Sequence, residues 1–312
     1  DTLRSRGLGD VYKRQDLGYE SMEDFLSSLI PDSIYDKKKL NLPKPLDEPS
    51  ALKALKQISK KNKVFKSFIG QGFYNCNVPA VIKRNVFENP GWYTSYTPYQ
   101  PEIAQGRLEA LMNYQTLISD LTGMDLSNAS LLDEPTSAAE AMMLARRVAK
   151  SKSNNFFVNE KTFQQTISII KSRAKPLGVN VEVGSLPDKT KDYFGSYFQY
   201  PNANGAIEDL SLISKQMHDN KGLLIVGSDL LALTLLKPPG EFGADIVVGS
   251  AQRFGVPMGF GGPHAGFMAI KDEFKRSLPG RLIGLTKDSK GRPCYRLALQ
   301  TREQHIRLSL IH

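Results

Sequence analysis

The chain has 312 residues, 40% of them hydrophobic, and a formal net charge of +9. That is enough apolar material for one large domain, or one and a half smaller ones, and it excludes disorder as the default. Lysines and arginines are interleaved with acids and form no stripe alternating with aromatics, which argues against a nucleic-acid groove.

The runs Lys37-Lys38-Lys39 and Lys60-Lys61 read as solvated surface, although a basic face also suits an acidic protein partner. Cys76 and Cys294 lie far apart, with neither metal-type nor disulfide-framework spacing, so the expectation is a reducing compartment, bland thiols and no metal. No apolar run approaches the roughly 20 residues that span a bilayer. The amino terminus lacks the order of a secretory signal, and a cytoplasmic location with no membrane contact is expected.

Residues 1–15 and 308–312 are set apart. The codons GAT GTG TAT AAG AGA CAG encode Asp10 to Gln15, and their reverse complement begins CTG TCT CTT ATA CAC, which encodes Leu308 to His312. Both ends read as translated sequencing adapter, with the natural polypeptide expected to continue in both directions. Residues 16–65 read as a helical arm for docking, and 66–307 as a large domain truncated at its carboxyl end.

In the arm, Ser21-Met-Glu-Asp24 has the form of a capping box opening a short helix that Pro31 closes. After the prolines at 43, 45 and 49, Ser50 is expected to cap a helix with Leu52, Leu55 and Ile58 along one face.

Glycines and prolines then sit beside the apolar runs of Ile69-Gly-Gln-Gly-Phe-Tyr74 and Val78-Pro-Ala-Val-Ile82. The stretch from Asn89 to Gly106 places Tyr93, Tyr96, Tyr99 and Glu102 close together between Pro98 and Pro101. It reads as a non-helical loop rich in hydroxyl donors on restrained backbone, the alternative being a surface loop with scattered aromatics. Glu102 either orients a hydroxyl or takes a proton, or is simply an acid favoured at a helix start.

A long helix is expected from Gly106 to Gly123, burying Leu108, Leu111, Ile118 and Leu121. Residues 128–140 read as strand, turn and helix start. There Thr136 and Ser137 either lie where backbone amides hold a phosphate or serve as ordinary caps. Strands near 156–158, 179–183, 197–200 and 223–226 alternate with helices over 162–173 and 207–217, which implies a mostly parallel sheet with helices on both faces and a site at the strands' carboxyl ends. Asp229 follows one such end, either to pair with a pyridinium nitrogen or to cap a helix.

Ile246-Val247-Val248 is a buried strand that delivers Ser250-Ala-Gln-Arg253 to the sheet edge ahead of a glycine-rich loop. In pyridoxal-phosphate (PLP) enzymes with the aspartate-aminotransferase-like fold, this corner carries the lysine that forms an imine with the cofactor. Here Gln252 and Arg253 occupy it, and neither an amide nor a guanidinium forms that imine.

Several long stretches carry a resemblance: the run from Asn89 to Gln115, Asp120-Leu-Thr-Gly-Met124, Asn128-Ala-Ser-Leu-Leu-Asp133, Leu236-Lys-Pro-Pro-Gly-Glu-Phe-Gly-Ala-Asp245 and Gln300-Thr-Arg-Glu-Gln-His-Ile306. In this order they resemble the amino-terminal half of the glycine cleavage system P-proteins, the glycine decarboxylases, over nearly everything from Leu17 to Arg307. The resemblance implies two homologous halves of PLP-transferase type, of which only the carboxyl-terminal one holds the lysine and PLP. It implies glycine as substrate, loss of CO2, and transfer of the aminomethyl group to the lipoyl arm of H-protein. Glu88-Asn-Pro-Gly-Trp92 and the wording around Gln252 look more like the fused than the two-subunit form.

At Phe163-Gln164 the chain departs from the His-Pro frequent in the family. By this resemblance the half alone is expected to be inactive, to bind no PLP covalently, and to lend Tyr93, Tyr96, Tyr99 and Glu102 to a pocket completed by the lysine-bearing half. The rival reading is a non-catalytic scaffold or regulatory subunit of PLP-enzyme fold.

Overall fold

The computed structural model describes residues 11–13, 15–36, 38, 41–94, 96–258 and 265–298. The expected glycine-rich loop falls partly, and the motif at Gln300 to Ile306 wholly, outside the described residues, as do the segments 1–10 and 308–312. The chain divides into two compact units, with the boundary after Lys66.

In the first unit, helix α1 (Met22–Leu29) is capped as its sequence predicts, with the Ser21 side chain accepting from the Asp24 amide. Helix α2 (Glu48–Ser59) starts earlier than expected. Asp47 rather than Ser50 is its cap, because Pro49 fits the first helical turn and the Ser50 amide donates to the Asp47 carboxylate at 2.9 Å. Leu52, Leu55 and Ile58 share one face, and it is exposed.

In the second unit, helix α3 (Pro101–Thr122) corrects the non-helical reading of residues 101–106. Pro101 occupies the first turn, where its missing amide costs nothing, so the helix forms five residues sooner and bends at Ala104. It stops at Gly123, as expected. After the short strand β1 (Leu126–Ser127) come helix α4 (Glu134–Val148), strand β2 (Asn155–Asn159), helix α5 (Gln164–Ala174), strand β3 (Asn180–Gly184) and strand β4 (Gly195–Tyr200). Helix α6 (Ser211–Asp219) begins four residues later than expected, since Ile207 is exposed and Asp209 receives the Ser211 amide at 2.9 Å. Strands β5 (Leu223–Asp229), β6 (Ile246–Ser250) and β7 (Gly266–Ile270) complete the sheet.

The seven strands lie in the order β1-β7-β6-β5-β4-β2-β3. Strands β2 to β6 are mutually parallel and β7 runs antiparallel to β6. Side chains alternate along each strand. Phe156, Ile225, Ile246 and Val248 therefore pack under α4 and α5, while Phe157, Leu224, Val226 and Val247 pack with Ile118 of α3 and Met217 of α6. Each such buried side chain contributes about 1.5–3 kcal/mol. This is the mostly parallel, doubly covered architecture of the aspartate-aminotransferase-like PLP-transferase fold.

A hairpin not foreseen from the sequence, β8 (Leu282–Lys287) with β9 (Pro293–Ala298), packs Ile283 and Leu297 on Leu108 of α3. Two glutamine side chains of α3 fasten it. Gln115 exchanges hydrogen bonds with the backbone of Ile283 (3.2 and 2.8 Å), and Gln105 with that of Tyr295 (2.8 and 2.9 Å). Among the described residues no helix is long and apolar enough to cross a membrane.

Candidate functional site

The parallel strands β2, β4, β5 and β6 all point their carboxyl ends to one edge, and there a cavity of about 320 Å³ opens. This is where ligand sites of open α/β sheets form. Its wall includes Gln199 before the end of β4, Ser228 and Asp229 at the end of β5, Ser250 at the end of β6, and the Gln252-Arg253 corner. The segment from Ile69 to Tyr74 closes it from a distant part of the sequence.

Gln252 is buried, and its amide is spent. Nε2 donates to the Tyr74 carbonyl at 2.6 Å, and Oε1 accepts from the Tyr74 amide at 3.3 Å. A side chain thus behaves as a one-residue β-strand. Asp229 is also engaged: Arg253 donates to both its oxygens through Nε and Nη2, with Nη2 at 2.7 Å, and the Leu231 amide adds a bond at 3.1 Å. Of the two readings of Asp229 offered by the sequence, the bond from the Leu231 amide, just ahead of the 3-10 turn Ala232–Thr234, has the form of a cap, and Arg253 adds an ion pair. The Arg253 guanidinium lies 3.4 Å from the Tyr74 ring centroid, a cation–π stack that adds to the grip on that segment.

Deeper in, Glu134 at the first turn of α4 is buried. Its Oε1 accepts from Gln199 Nε2 at 2.9 Å, and Gln199 Oε1 accepts from the Tyr197 hydroxyl at 3.0 Å. This relay crosses β5 at Gly227, where a Cβ would lie 2.0 Å from the Tyr197 hydroxyl oxygen. Burial pushes the Glu134 carboxyl up to about 7. The Gln199 hydrogen bond works in the opposite direction, and the charges of Asp229 and Asp133 add to the rise. Burial likewise raises the Tyr197 phenol far above its usual range. Gly72, at φ +85°, lets the covering segment pass close over Phe163 and Glu134 Oε2.

The phosphate reading of Thr136 and Ser137 is corrected. The Thr136 amide is taken by the Asp133 carboxylate at 2.7 Å and the Ser137 amide by the Asp133 carbonyl at 2.9 Å, so the start of α4 presents two carboxyl groups. The expected loop residues lie elsewhere. Tyr93, Tyr96, Tyr99 and Glu102 are exposed, and none lines the cavity. Arg107 holds the loop through the carbonyls of Tyr96 (3.1 Å) and Gly91 (3.2 Å), and the Tyr96 hydroxyl donates to Gln100 at 3.0 Å.

Sequence reasoning missed Glu134, Gln199 and Tyr74. An acid in a first helical turn looks like any dipole partner. The available signal was glycine within strands, at 195 and 227, which marks close approach of a neighbour.

The sequence profile of the family described as "Glycine cleavage system P-protein" matches residues 10–309. The chain belongs to the glycine cleavage system P-protein family. Among curated P-protein relatives, the "Glycine dehydrogenase (decarboxylating)" of Xylella fastidiosa is 56% identical over 97% of this chain and 31% of its own length. That of Psychromonas ingrahamii is also 56% identical, over 97% and 32%. The chain therefore spans about a third of the length of these relatives. A crystal structure of a glycine decarboxylase (P-protein) in inhibitor-bound form superposes with a TM-score of 0.83 at 36% identity, covering 93% of this chain and 67% of that one. A sphingosine-1-phosphate lyase of Burkholderia pseudomallei shares the fold at 12% identity and a TM-score of 0.57.

PLP-type P-protein chemistry needs an amine at the corner and an acid free for the pyridine nitrogen. In this cavity the corner side chain is an amide bonded to backbone, the acid is held by Arg253, and the Glu134 carboxyl group stands at the helix start while Asp133 occupies the Thr136 amide. These residues do not fit PLP. Nor does Lys271 substitute for the missing amine. It follows β7 beside the Ile270–Ile246 pair, at the amino end of β6, and ion-pairs there with Asp245. Five strand residues at about 3.3 Å each separate it from the carboxyl-end corner. Incubation of this chain with PLP is expected to give no imine absorbance reducible by borohydride, and a signal that disappears in Lys271→Ala would contradict this.

Proposed function

We propose that this chain is the amino-terminal, lysine-less half of a glycine decarboxylase, and that it acts with a lysine-bearing half to which it is fused. The observation that carries the reading is Gln252 at the lysine corner of a chain 56% identical to glycine dehydrogenases (decarboxylating) yet covering a third of their length. In this reading PLP is held by the other half, where it withdraws electrons as glycine loses CO2. The aminomethyl group then passes to the lipoyl arm of H-protein, and the whole works in the cytoplasm. The present half supplies interface and pocket residues.

The loop bearing Tyr93, Tyr96, Tyr99 and Glu102 is the part proposed to reach that pocket. Its main chain is fixed from within by Arg107, and Arg281 donates to Thr97 at 3.3 Å, while the tyrosine side chains stay exposed. A main chain held this way needs no ordering when a partner arrives, which leaves only the side-chain rotamers to settle. Tyrosine hydroxyls, with an ordinary pKa of about 10, stay protonated at neutral pH and suit a site where negative charge develops. Tyr96→Phe or Tyr99→Phe in the complete enzyme is expected to lower glycine decarboxylation by roughly tenfold or more, equivalent to about 1.4 kcal/mol, with PLP content unchanged. Unchanged turnover in both variants would reduce the loop to a surface feature and favour the scaffold reading.

A further inference from the structure

Charge along this chain is mixed except in one stretch. From Ala141 to Val181 there are eight lysines and arginines and one acid, Glu160. The fold gathers most of these cations where the parallel strands begin, at the edge opposite the cavity. Helices α4 and α5 each lead into a strand, β2 and β3, and so end at this edge. Three hydrogen bonds join their ends and the turn before β5: Arg146 Nη1 to the Leu177 carbonyl at 2.6 Å, the Asn180 amide to the Asn154 carbonyl at 3.0 Å, and the Ser151 amide to the Lys221 carbonyl at 3.0 Å. Lys150, Lys152, Lys171, Arg173, Lys175 and Lys221 are exposed around them. None forms an ion pair among the described residues, whereas Lys161 and Lys191 are paired with Glu208 and Glu182.

Helix dipoles account for part of this, since Lys171 and Arg173 stand in the last turn of α5, where a cation is favoured. Lys150, Lys152 and Lys221 lie in connections beyond helix ends, where that effect has faded. The acids at the rim, Asp192 beside Ser153 and Asp219 before Lys221, leave most of the charge unbalanced. Like charges within a Debye length of about 8–10 Å repel, so the cluster costs stability until something neutralises it. Its make-up selects the partner. Arg146 and Arg147 spend guanidinium hydrogens on the carbonyls of Leu177 and Ser277, so the free charges are mostly lysines, which act as point charges and not as forks for phosphate. No aromatic platform for bases occurs in 146–154 or 171–180, and Leu177, 41% exposed, adds an apolar contact. We infer that this face is a docking surface for a carboxylate-rich protein, held by salt-sensitive contacts. The five residues of β2, at about 3.3 Å each, separate it from the cavity edge, so a partner seated here leaves that edge open. The inference stands on this surface and holds whether or not the decarboxylase reading does.

The test is fluorescence anisotropy of labelled poly-L-glutamate on the complete enzyme, with duplex DNA and phosphatidylglycerol vesicles as competing probes. Saturable binding is expected, weakening roughly tenfold between about 50 and about 300 mM salt. Lys150→Glu with Lys152→Glu, and Lys171→Glu with Lys175→Glu, should each weaken it roughly tenfold or more, with circular dichroism and thermal midpoint unchanged. The same charge change in the hairpin, Lys287→Glu with Lys290→Glu, should alter it less than about twofold. Glycine decarboxylation and the KM for H-protein should be unchanged in both edge pairs, because the face lies away from the cavity edge. Equal weakening by all three pairs would show that net charge alone is read. Duplex DNA or vesicles binding more tightly through the same lysines would give the face to a different class of partner, and a tenfold rise in the KM for H-protein would make it part of the reaction. Each of these results, or absence of saturable binding, would overturn the assignment.

Discussion

Replacing Gln252 by lysine is expected to leave the chain without a PLP imine and to lower its stability by about 2–4 kcal/mol. The substitution restores the reactive group that PLP enzymes carry at this corner, so the naive expectation is gain of cofactor. The geometry says otherwise. Gln252 is 1% exposed, and its amide satisfies both the carbonyl and the amide of Tyr74. A lysine amine still donates to the carbonyl but accepts nothing, so the Tyr74 amide loses its partner. A new ammonium would also lie buried close to the Arg253 guanidinium, which disfavours its charge. Asp229 would remain held by Arg253, and Asp133 and Glu134 would still oppose a phosphate at the start of α4. Chemical denaturation measures the stability loss, and absorbance with PLP before and after borohydride reads the imine. A reducible imine in Gln252→Lys would show that the lysine alone was missing.

Glu134→Gln is expected to stabilise the chain above pH 7 and to flatten its pH dependence. The sign follows from the raised carboxyl. Its value of about 7 in the folded chain stands above the ordinary 4.5, so the folded state holds the proton more tightly than the unfolded state. Below about pH 4.5 both states are protonated and the group costs nothing. Between 4.5 and 7 the unfolded chain ionises first and stability falls as pH rises. Above 7 both are ionised and the penalty is constant, on the order of 3 kcal/mol at 1.36 kcal/mol per unit. Glutamine keeps an oxygen for Gln199 Nε2 and has no charge to bury. Denaturation midpoints of the two chains should therefore diverge from pH 5 upward and run parallel above pH 8. Parallel curves throughout would mean that Glu134 is ionised in the folded chain at low pH.

The parts of this molecule legible in its sequence are those set by local pattern. Ile246-Val247-Val248 followed by a polar corner placed β6 and the turn that carries Gln252. Alternating strand and helix periods pointed to the parallel sheet and to the edge where the cavity opens. What stayed hidden depends on residues far apart in the chain. Tyr74 meets Gln252 across 178 positions, a pairing that no periodicity encodes. Glu134 has the sequence context of an exposed helix-start acid, and only the packing of β4 and the covering segment makes it buried. Local rules also failed where two signals competed. Pro101 punctuates a polar loop and is equally fit to open a helix, and the structure takes the second option.

The glutamine clamps have a consequence for how this protein can change. Gln105, Gln115 and Gln252 each grip one residue, Tyr295, Ile283 and Tyr74, by its peptide groups. Peptide groups are common to nearly every amino acid, so the hold is indifferent to which side chain is carried there. Only proline, which lacks the amide hydrogen, would break all three. The hairpin and the covering segment can therefore exchange side chains over many generations without losing their registration on the sheet. Drift in those stretches is constrained by what their side chains touch, such as the Arg253 stack on Tyr74, and not by the anchoring itself.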